Sequence, residues 1–225
     1  MAAGREDVDV RMLGRGRPFA LTLHDPHRTR LTAAELRELE EKALSTSGGA
    51  VAIRELCLVH KSSLQILKDG EADKRKTYSC IVRASRRVED SELSKLAGMT
   101  DVVLAQDTPL RVLHRRSPAT RPKTVHSMLA RRLSDTYFRL QLTTQAGTYV
   151  KEFVHGDLGR TRPHLGQLLG ENCDTDLIEL DVVDVQLAWP PSTPADVPVE
   201  AEGAAAGSKR SAPEDEQGED EDVAE

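Results

Sequence analysis

The composition of the chain changes abruptly at Pro190, and that change limits where a folded core can form. From Pro190 to Glu225 the sequence reads PPSTPADVPVEAEGAAAGSKRSAPEDEQGEDEDVAE, rich in Pro, Ala, Glu and Asp and without an aromatic residue. Such a segment cannot bury enough apolar surface to offset its ordering entropy, so residues 190–225 are expected to form a disordered acidic tail. Its eleven acidic and two basic residues contribute −9 to a net charge of −6, which leaves residues 1–189 at +3. The acidic total hides a mildly basic body. Within the tail, Lys209-Arg210 is a weak nuclear-import hint and no more.

With three Phe, three Tyr and one Trp in the whole chain, the core must be built mainly from Val, Leu, Ile and Ala. Strand and helix signals alternate along the body. Pro18–His24 reads as a strand. Thr32-Ala33-Ala34-Glu35 is a capping box that opens a helix to about Leu44, which Gly48-Gly49 stops. Val51–His60 and Thr77–Ala84 read as further strands, and a short helix follows Asp90. Another strand is expected around Leu110–Arg115. In Thr136–Thr143, Phe138, Leu140 and Leu142 fall on one face and Arg139 and Gln141 on the other, as in a half-buried strand. In Leu177–Leu187 the apolar phase runs through Ile178, Leu180 and Val182, then shifts to Val183, Val185 and Leu187. A β-bulge near Val182-Val183 would account for that shift. No repeat is evident, and the pattern suits an α+β domain over residues 1–189, a mixed and largely antiparallel sheet flanked by helices.

The three cysteines, Cys57, Cys80 and Cys173, are far apart and form no CxxC pair, which argues for reduced thiols and against a zinc site. No window approaches the roughly 18 apolar residues of a membrane span. The opening MAAGREDVDV has no apolar stretch of the kind a secretory leader needs. A soluble intracellular monomer, in nucleus or cytoplasm, is the expectation.

Three segments carry candidate chemistry. The first is GREDVDVRMLGRGRPF, residues 4–19, where Glu6, Asp7 and Asp9 lie among Arg5, Arg11, Arg15 and Arg17. In an extended segment Asp7 and Asp9 share a face. The residues leave three readings: a self-compensating exposed segment, a carboxylate set holding Mg²⁺, or a carboxylate nucleophile in an anion-attracting site. So many arginines repel a cation and suit phosphate, which disfavours the metal. The second segment is TQAGTYVKEFVHGDLGRT, residues 144–161. A strand ends, Gly147 turns, and Thr148 is placed to cap a helix through Phe153 with Lys151 one turn inside it. Alone it is an ordinary strand-to-helix junction. The third is QDTPLRVLHRR, residues 106–116. As a strand it would set Arg111 and Arg115 on one face and His114 and Arg116 on the other, beside Lys74-Arg75-Lys76, Arg121 and Lys123. That is a basic surface for a phosphate backbone, or simply solvated charge.

These three segments, in this order, resemble the signature blocks of the pseudouridine synthases, most closely the archaeal and eukaryotic class called Pus ten. The resemblance covers roughly residues 4–188. It implies the pseudouridine synthase fold and a tRNA-directed isomerase that needs neither metal nor cofactor, acting on uridines of the T arm. It places the catalytic aspartate at Asp7 rather than Asp9, the aromatic residue that stacks on the base at Tyr78, and the basic partner of the aspartate at Lys151. Val150 and Leu177, with Ile178 as an alternative to Leu177, match the apolar lining of the base pocket. Arg5, Arg11, Arg15, Arg17, Arg111, His114, Arg115 and Arg116 would hold RNA phosphates. Members of the class carry, before this region, an RNA-binding domain with paired cysteines and a strand that leads into the catalytic loop. The expectation is therefore a sheet edge left unpaired and an Asp7 loop weakly anchored. A non-catalytic RNA-binding module and a metal-dependent phosphotransferase are the rival functions.

Overall fold

The computed structural model describes residues 1–4, 7–170 and 172–191, with residues 69–73 described as backbone only. Arg5, Glu6 and the tail from Ser192 onward, including Lys209-Arg210, lie outside the described residues.

Seven strands form one sheet in the order β1-β7-β2-β5-β4-β3-β6. They are β1 (Arg11–Met12), β2 (Lys76–Ala84), β3 (Thr100–Asp107), β4 (Thr120–Arg132), β5 (Tyr137–Thr144), β6 (Thr161–Arg162) and β7 (Thr175–Val185). Every pairing is antiparallel except that of β1 with β7. The helices are α1 (Ala33–Thr46), α2 (Leu64–Asp73), α3 (Asp90–Ala97), α4 (Val150–His155) and α5 (Leu165–Leu169). The fold is α+β, as the sequence pattern implies.

The alternation in β5 decides which face of the sheet is inside. Phe138, Leu140 and Leu142 are buried and their neighbours Tyr137, Arg139 and Gln141 exposed. Across the ladder they meet Val82, Cys80 and Tyr78 of β2. Leu104, Val125, Met128, Leu180, Val182 and Val185 complete the sheet side of the core. Leu93 and Leu96 of α3, Val150, Phe153 and Val154 of α4, and Leu165 and Leu169 of α5 cover it. Burial pushes the Cys80 thiol up to about 12, which keeps it inert.

The α1 capping box forms as expected: Thr32 Oγ1 accepts from the Glu35 amide at 3.3 Å and Glu35 Oε2 accepts from the Thr32 amide at 2.8 Å. The bulge in β7 is also present. Thr77 faces Asp184 while Tyr78 faces Val182, so Val183 is the extra residue. A second register shift, between Ile81 facing Glu179 and Val82 facing Leu177, bulges out Ile178. That second bulge turns Ile178 outward, 53% exposed, against the expected inward alternation.

Other expectations are corrected. Pro18–His24 forms no strand; only Phe19 makes an isolated bridge, with Ala2. Val51–His60 is irregular and unburied, and the Leu56 amide donates instead to Glu40 of α1. A strand-like composition becomes a strand only where a partner edge is available. Leu110–Val112 is a turn of 3₁₀ helix rather than a strand, because Pro109 starts a turn closed by Val112 N–H to Pro109 O at 3.0 Å. The alternating faces expected for Arg111 to Arg116 are therefore not present.

Among the described residues the outer edge of β7 has a strand beside it only at Asp181 and Val182, so the expected unpaired edge is covered in part. β1 lies along it, with Arg11 facing Asp181 and Met12 facing Val182, and the Leu13 amide donates to Val182 O at 2.8 Å. The residues before the acidic loop are tied as well, through Ala3 N–H to Pro18 O at 2.9 Å and Ala20 N–H to Met1 O at 2.8 Å. Immediately after β1 the chain runs so close to β7 that a Cβ on Gly14 (φ +62°) would lie 2.1 Å from the Val183 carbonyl oxygen. A left-handed backbone strains Gly14→Ala and Gly48→Ala alike, since φ is +62° and +61°, but nothing lies within 4 Å of Gly48, so the clash with Val183 should make Gly14→Ala about 1–3 kcal/mol more costly. Thermal unfolding of the two variants compares them; equal melting temperatures would remove the close approach from the account.

Candidate active site

Three connections bring the candidate residues together. β1 carries the acidic loop to the edge of β7, and within that loop the Val10 amide closes a turn onto Asp7 O at 3.1 Å. The α4 helix follows β5 through a tight turn at Gly147 (φ +72°). Its N-cap is Tyr149 rather than the expected Thr148, whose hydroxyl instead donates back to Gln145 O at 2.8 Å. Gln106 of β3 pins this junction from both sides, accepting from Tyr149 N–H at 2.8 Å and donating to Tyr149 O at 2.9 Å. The turn that carries Arg111 is held to the segment after α4, since the Leu110 amide donates to Asp157 Oδ2 at 3.2 Å.

The result is a row of alternating charges. Lys151 Nζ donates to Asp9 Oδ1 and Oδ2 at 2.8 and 2.7 Å and lies 3.4 Å from Asp7 Oδ2. Arg111 Nη1 donates to the same Asp7 oxygen at 2.7 Å, and its Nε to Glu152 Oε1 at 2.7 Å. The Arg111 guanidinium also stands 5.9 Å from the centroid of the Tyr149 ring. Its charge is opposed by burial, but the Glu152 hydrogen bond and the Glu152 and Asp7 charges outweigh that and hold it above its ordinary value. The hydrogen bond from Lys151 comes first in lowering the Asp9 carboxyl, against a smaller effect of burial.

Asp7 and Lys151 are thus brought together, although Lys151 lies closer to Asp9. Leu177 is half-buried and lines a groove of about 420 Å³ with Asp9, Arg11, Lys151 and His155. Val150 is 4% exposed and belongs to the core side of α4. Tyr78 is likewise 4% exposed, opposite Leu142 and Val182, so its ring offers no open stacking face in this structure. Tyr149, which the sequence reading passed over, is half-buried beside Arg111.

Several of the expected phosphate contacts have partners within the protein. Arg11 is bidentate with Asp181 at 2.7 and 2.8 Å, Arg15 meets Asp184 at 3.1 Å, and Arg17 donates to Ala3 O at 2.9 Å. Arg111 is turned toward Asp7 and Glu152. His114, Arg115 and Arg116 are exposed, just beyond that turn. Among the described residues no cluster of His, Cys, Asp and Glu could hold a metal ion, and no helix is long and apolar enough to cross a membrane.

Glu152 was also missed. A helical wheel sets it about 160° from Val150 and Val154, on the side expected to be wet. It is 1% exposed, and a residue distant in sequence, Arg111, meets it there. Nothing local in the sequence signals that contact.

The family described as Pus10, C-terminal, matches residues 1–186, and the chain belongs to it. It is 47% identical over 191 residues to the tRNA pseudouridine synthase Pus10 of Mus musculus, covering 85% of this chain and 36% of that protein. The Homo sapiens protein of the same name is 45% identical over the same shares. That of Thermofilum pendens is 40% identical, covering 82% of this chain and 41% of its own length. The chain spans well under half the length of these relatives. Among solved structures, a Cbf5-Nop10-Gar1 complex is similar over 54% of this chain and 33% of that one, at 15% identity and a TM-score of 0.41, too partial to bear on the site.

The Lys151 contact makes a pH prediction. A depressed carboxyl contributes stability above its unfolded value and loses it as pH falls through the folded one. Because Asp9 is largely exposed, solvent screens the effect and it should be small. Carbon-13 titration of Asp9 should give a midpoint below that of an ordinary aspartate, rising in Lys151→Met. An unchanged midpoint in the variant would remove the pair.

Proposed function

We propose that this chain is the catalytic part of a tRNA pseudouridine synthase, with Asp7 as the group that attacks the target nucleotide and T-arm uridines as its substrates. The supporting observation is the Asp7 carboxylate set between Arg111 and Lys151 at 2.7 and 3.4 Å, in a family whose relatives are named for this activity.

The reaction is an isomerisation. The bond from N1 of uracil to the anomeric carbon breaks, the base turns over, and a bond from C5 to that carbon forms. C5 gives up a proton and N1 gains one, so no oxidant or reductant enters. An ionised carboxylate at the anomeric carbon or its 2′ hydrogen starts the process. Arg111 and Lys151 set two positive charges against the Asp7 carboxylate. The groove lined by Leu177 and Lys151 lies beside the charge row and gives an extruded nucleotide a place to enter. The exposed His114, Arg115 and Arg116 would hold flanking phosphates.

Incubating the chain with a tRNA transcript and mapping pseudouridine by carbodiimide primer extension tests the reading. Asp7→Asn should lower the rate by about 10⁴-fold while RNA still binds. Appreciable residual activity would overturn Asp7 as the nucleophile. Lys151→Ala should slow turnover by roughly 10- to 100-fold and weaken binding less. If it lowers RNA affinity alone, Lys151 is a phosphate contact. RNA bound by the unaltered chain without any pseudouridine would leave a non-catalytic RNA-binding module.

A further inference from the structure

Resting on the reading of a tRNA as the substrate, we propose that Leu158 is an apolar wedge that enters the RNA beside the target nucleotide, carried on a turn with a basic rim.

The backbone after α4 is unusual for four residues in succession. Gly156, Asp157, Leu158 and Gly159 all have positive φ, at +80°, +48°, +55° and +85°. Glycine adopts this conformation freely, but for a bulky side chain such as leucine it is a costly outlier. Leu158 is nevertheless 90% exposed, so no burial within the chain offsets that cost. A lone exposed leucine is ordinary. One held in a left-handed backbone and left almost wholly in water calls for a partner outside the chain.

The turn is firmly held from beneath. The Asp157 amide donates to His155 Nδ1 at 3.0 Å, and Asp157 Oδ2 accepts from the Leu110 amide at 3.2 Å. Arg162 Nη1 donates to Gly159 O at 2.8 Å. A Cβ on Gly156 would lie 3.0 Å from the His164 ring, so the backbone is packed closely there as well. Leu158 is thus presented in a fixed direction, which lowers the ordering cost of inserting it into a partner.

The surroundings of the tip indicate the chemistry of that partner. The Leu110–Asp157 bond joins this turn to the segment that carries His114, Arg115 and Arg116, and the Asp107 amide donates to Arg160 O at 2.9 Å. Those three basic side chains are exposed and form no ion pair among the described residues. The nearby carboxylates are already engaged, Asp157 with Leu110 and Arg160, and Asp107 with the Thr120 hydroxyl. An apolar tip with an uncompensated basic rim suits RNA, whose bases take the tip and whose phosphates take the rim. An apolar pocket on a protein would take the tip and leave the rim without a counterpart.

The position of the turn says which bases it would meet. His155 lines the groove beside the charge row and accepts the Asp157 amide, so Leu158 stands just beyond the groove wall. A wedge there enters a base step next to the extruded nucleotide and holds the gap open while the uridine is out of the stack.

The test uses the chain as it stands, with Leu158→Gly, Leu158→Met and the double variant Arg115→Ala/Arg116→Ala. The RNAs are tRNA transcripts with 2-aminopurine, which brightens when unstacked, at successive positions flanking a T-arm uridine. Saturating unaltered chain should raise the fluorescence by about fivefold at one flanking position. Leu158→Gly should remove that rise and slow a single turnover by about tenfold, with RNA affinity within about threefold. Its melting temperature should change little, because glycine tolerates the left-handed backbone. Leu158→Met keeps an apolar tip and should keep the rise. The arginine variant should bind about tenfold more weakly and with a shallower salt dependence, yet give the same fluorescence once saturated. No rise with the unaltered chain, or an equal rise in Leu158→Gly, overturns the wedge and leaves the tip to a protein partner. A full rise alongside a lower melting temperature in Leu158→Gly would make Leu158 a structural residue. If the unaltered chain makes no pseudouridine, the catalytic reading fails separately, and the fluorescence still decides the wedge.

Discussion

The parallel pairing of β1 along β7 determines where the acidic loop is delivered, and the rest of the site follows from that delivery. Only two residues take part, Arg11 and Met12, which is a small element to hold a functional loop. Side-chain and backbone contacts around it make up the difference. Arg11 grips Asp181 bidentately, Leu13 extends the backbone bonding to Val182, and Gly14 lies against the Val183 carbonyl. The Val183 bulge and this close approach fall at the same point of β7. Irregularity in the longer strand thus coincides with the place where the short one leaves it.

Once the loop is delivered, electrostatics arranges it. Asp9, Lys151, Asp7, Arg111 and Glu152 stand in alternating sign, each in contact with the next. The row runs from solvent to interior: the Asp9 side chain is 63% exposed and Glu152 1%. Exposed pairs of this kind contribute little to stability, whereas separating the buried one leaves an uncompensated charge. The energetic weight therefore lies at Glu152 and the chemical freedom at Asp7 and Asp9. The proposed RNA substrate would meet a site that is firm behind the carboxylate and open in front of it.

Much of the frame was legible in the sequence. The α1 capping box, the alternation of β5 and the phase shift in β7 each depend on side chains close together in the chain, and each appears as read. The errors share a cause. Val51–His60 and Pro18–His24 have strand-like residues but no strand beside them, and pairing is a property of two segments. Leu110–Arg115 contains a basic run that looks like a strand face, yet Pro109 and Asp157 turn it into the arm that presents Arg111.

The sequence by itself determined the chemical inventory and where it lies along the chain: a carboxylate segment near residue 7, a basic run near 111 and a lysine-bearing helix at 151. Periodicity and turn residues also determined the α+β class, because apolar alternation and capping act over a few residues. Which cation meets which carboxylate was decided only by the tertiary structure. Arg111 and Asp7 are 104 residues apart, and Lys151 and Asp9 142 apart. Those partnerships, and the burial of Glu152, exist only after the sheet has closed the distances, since ion pairing and desolvation depend on separations of a few ångströms in space.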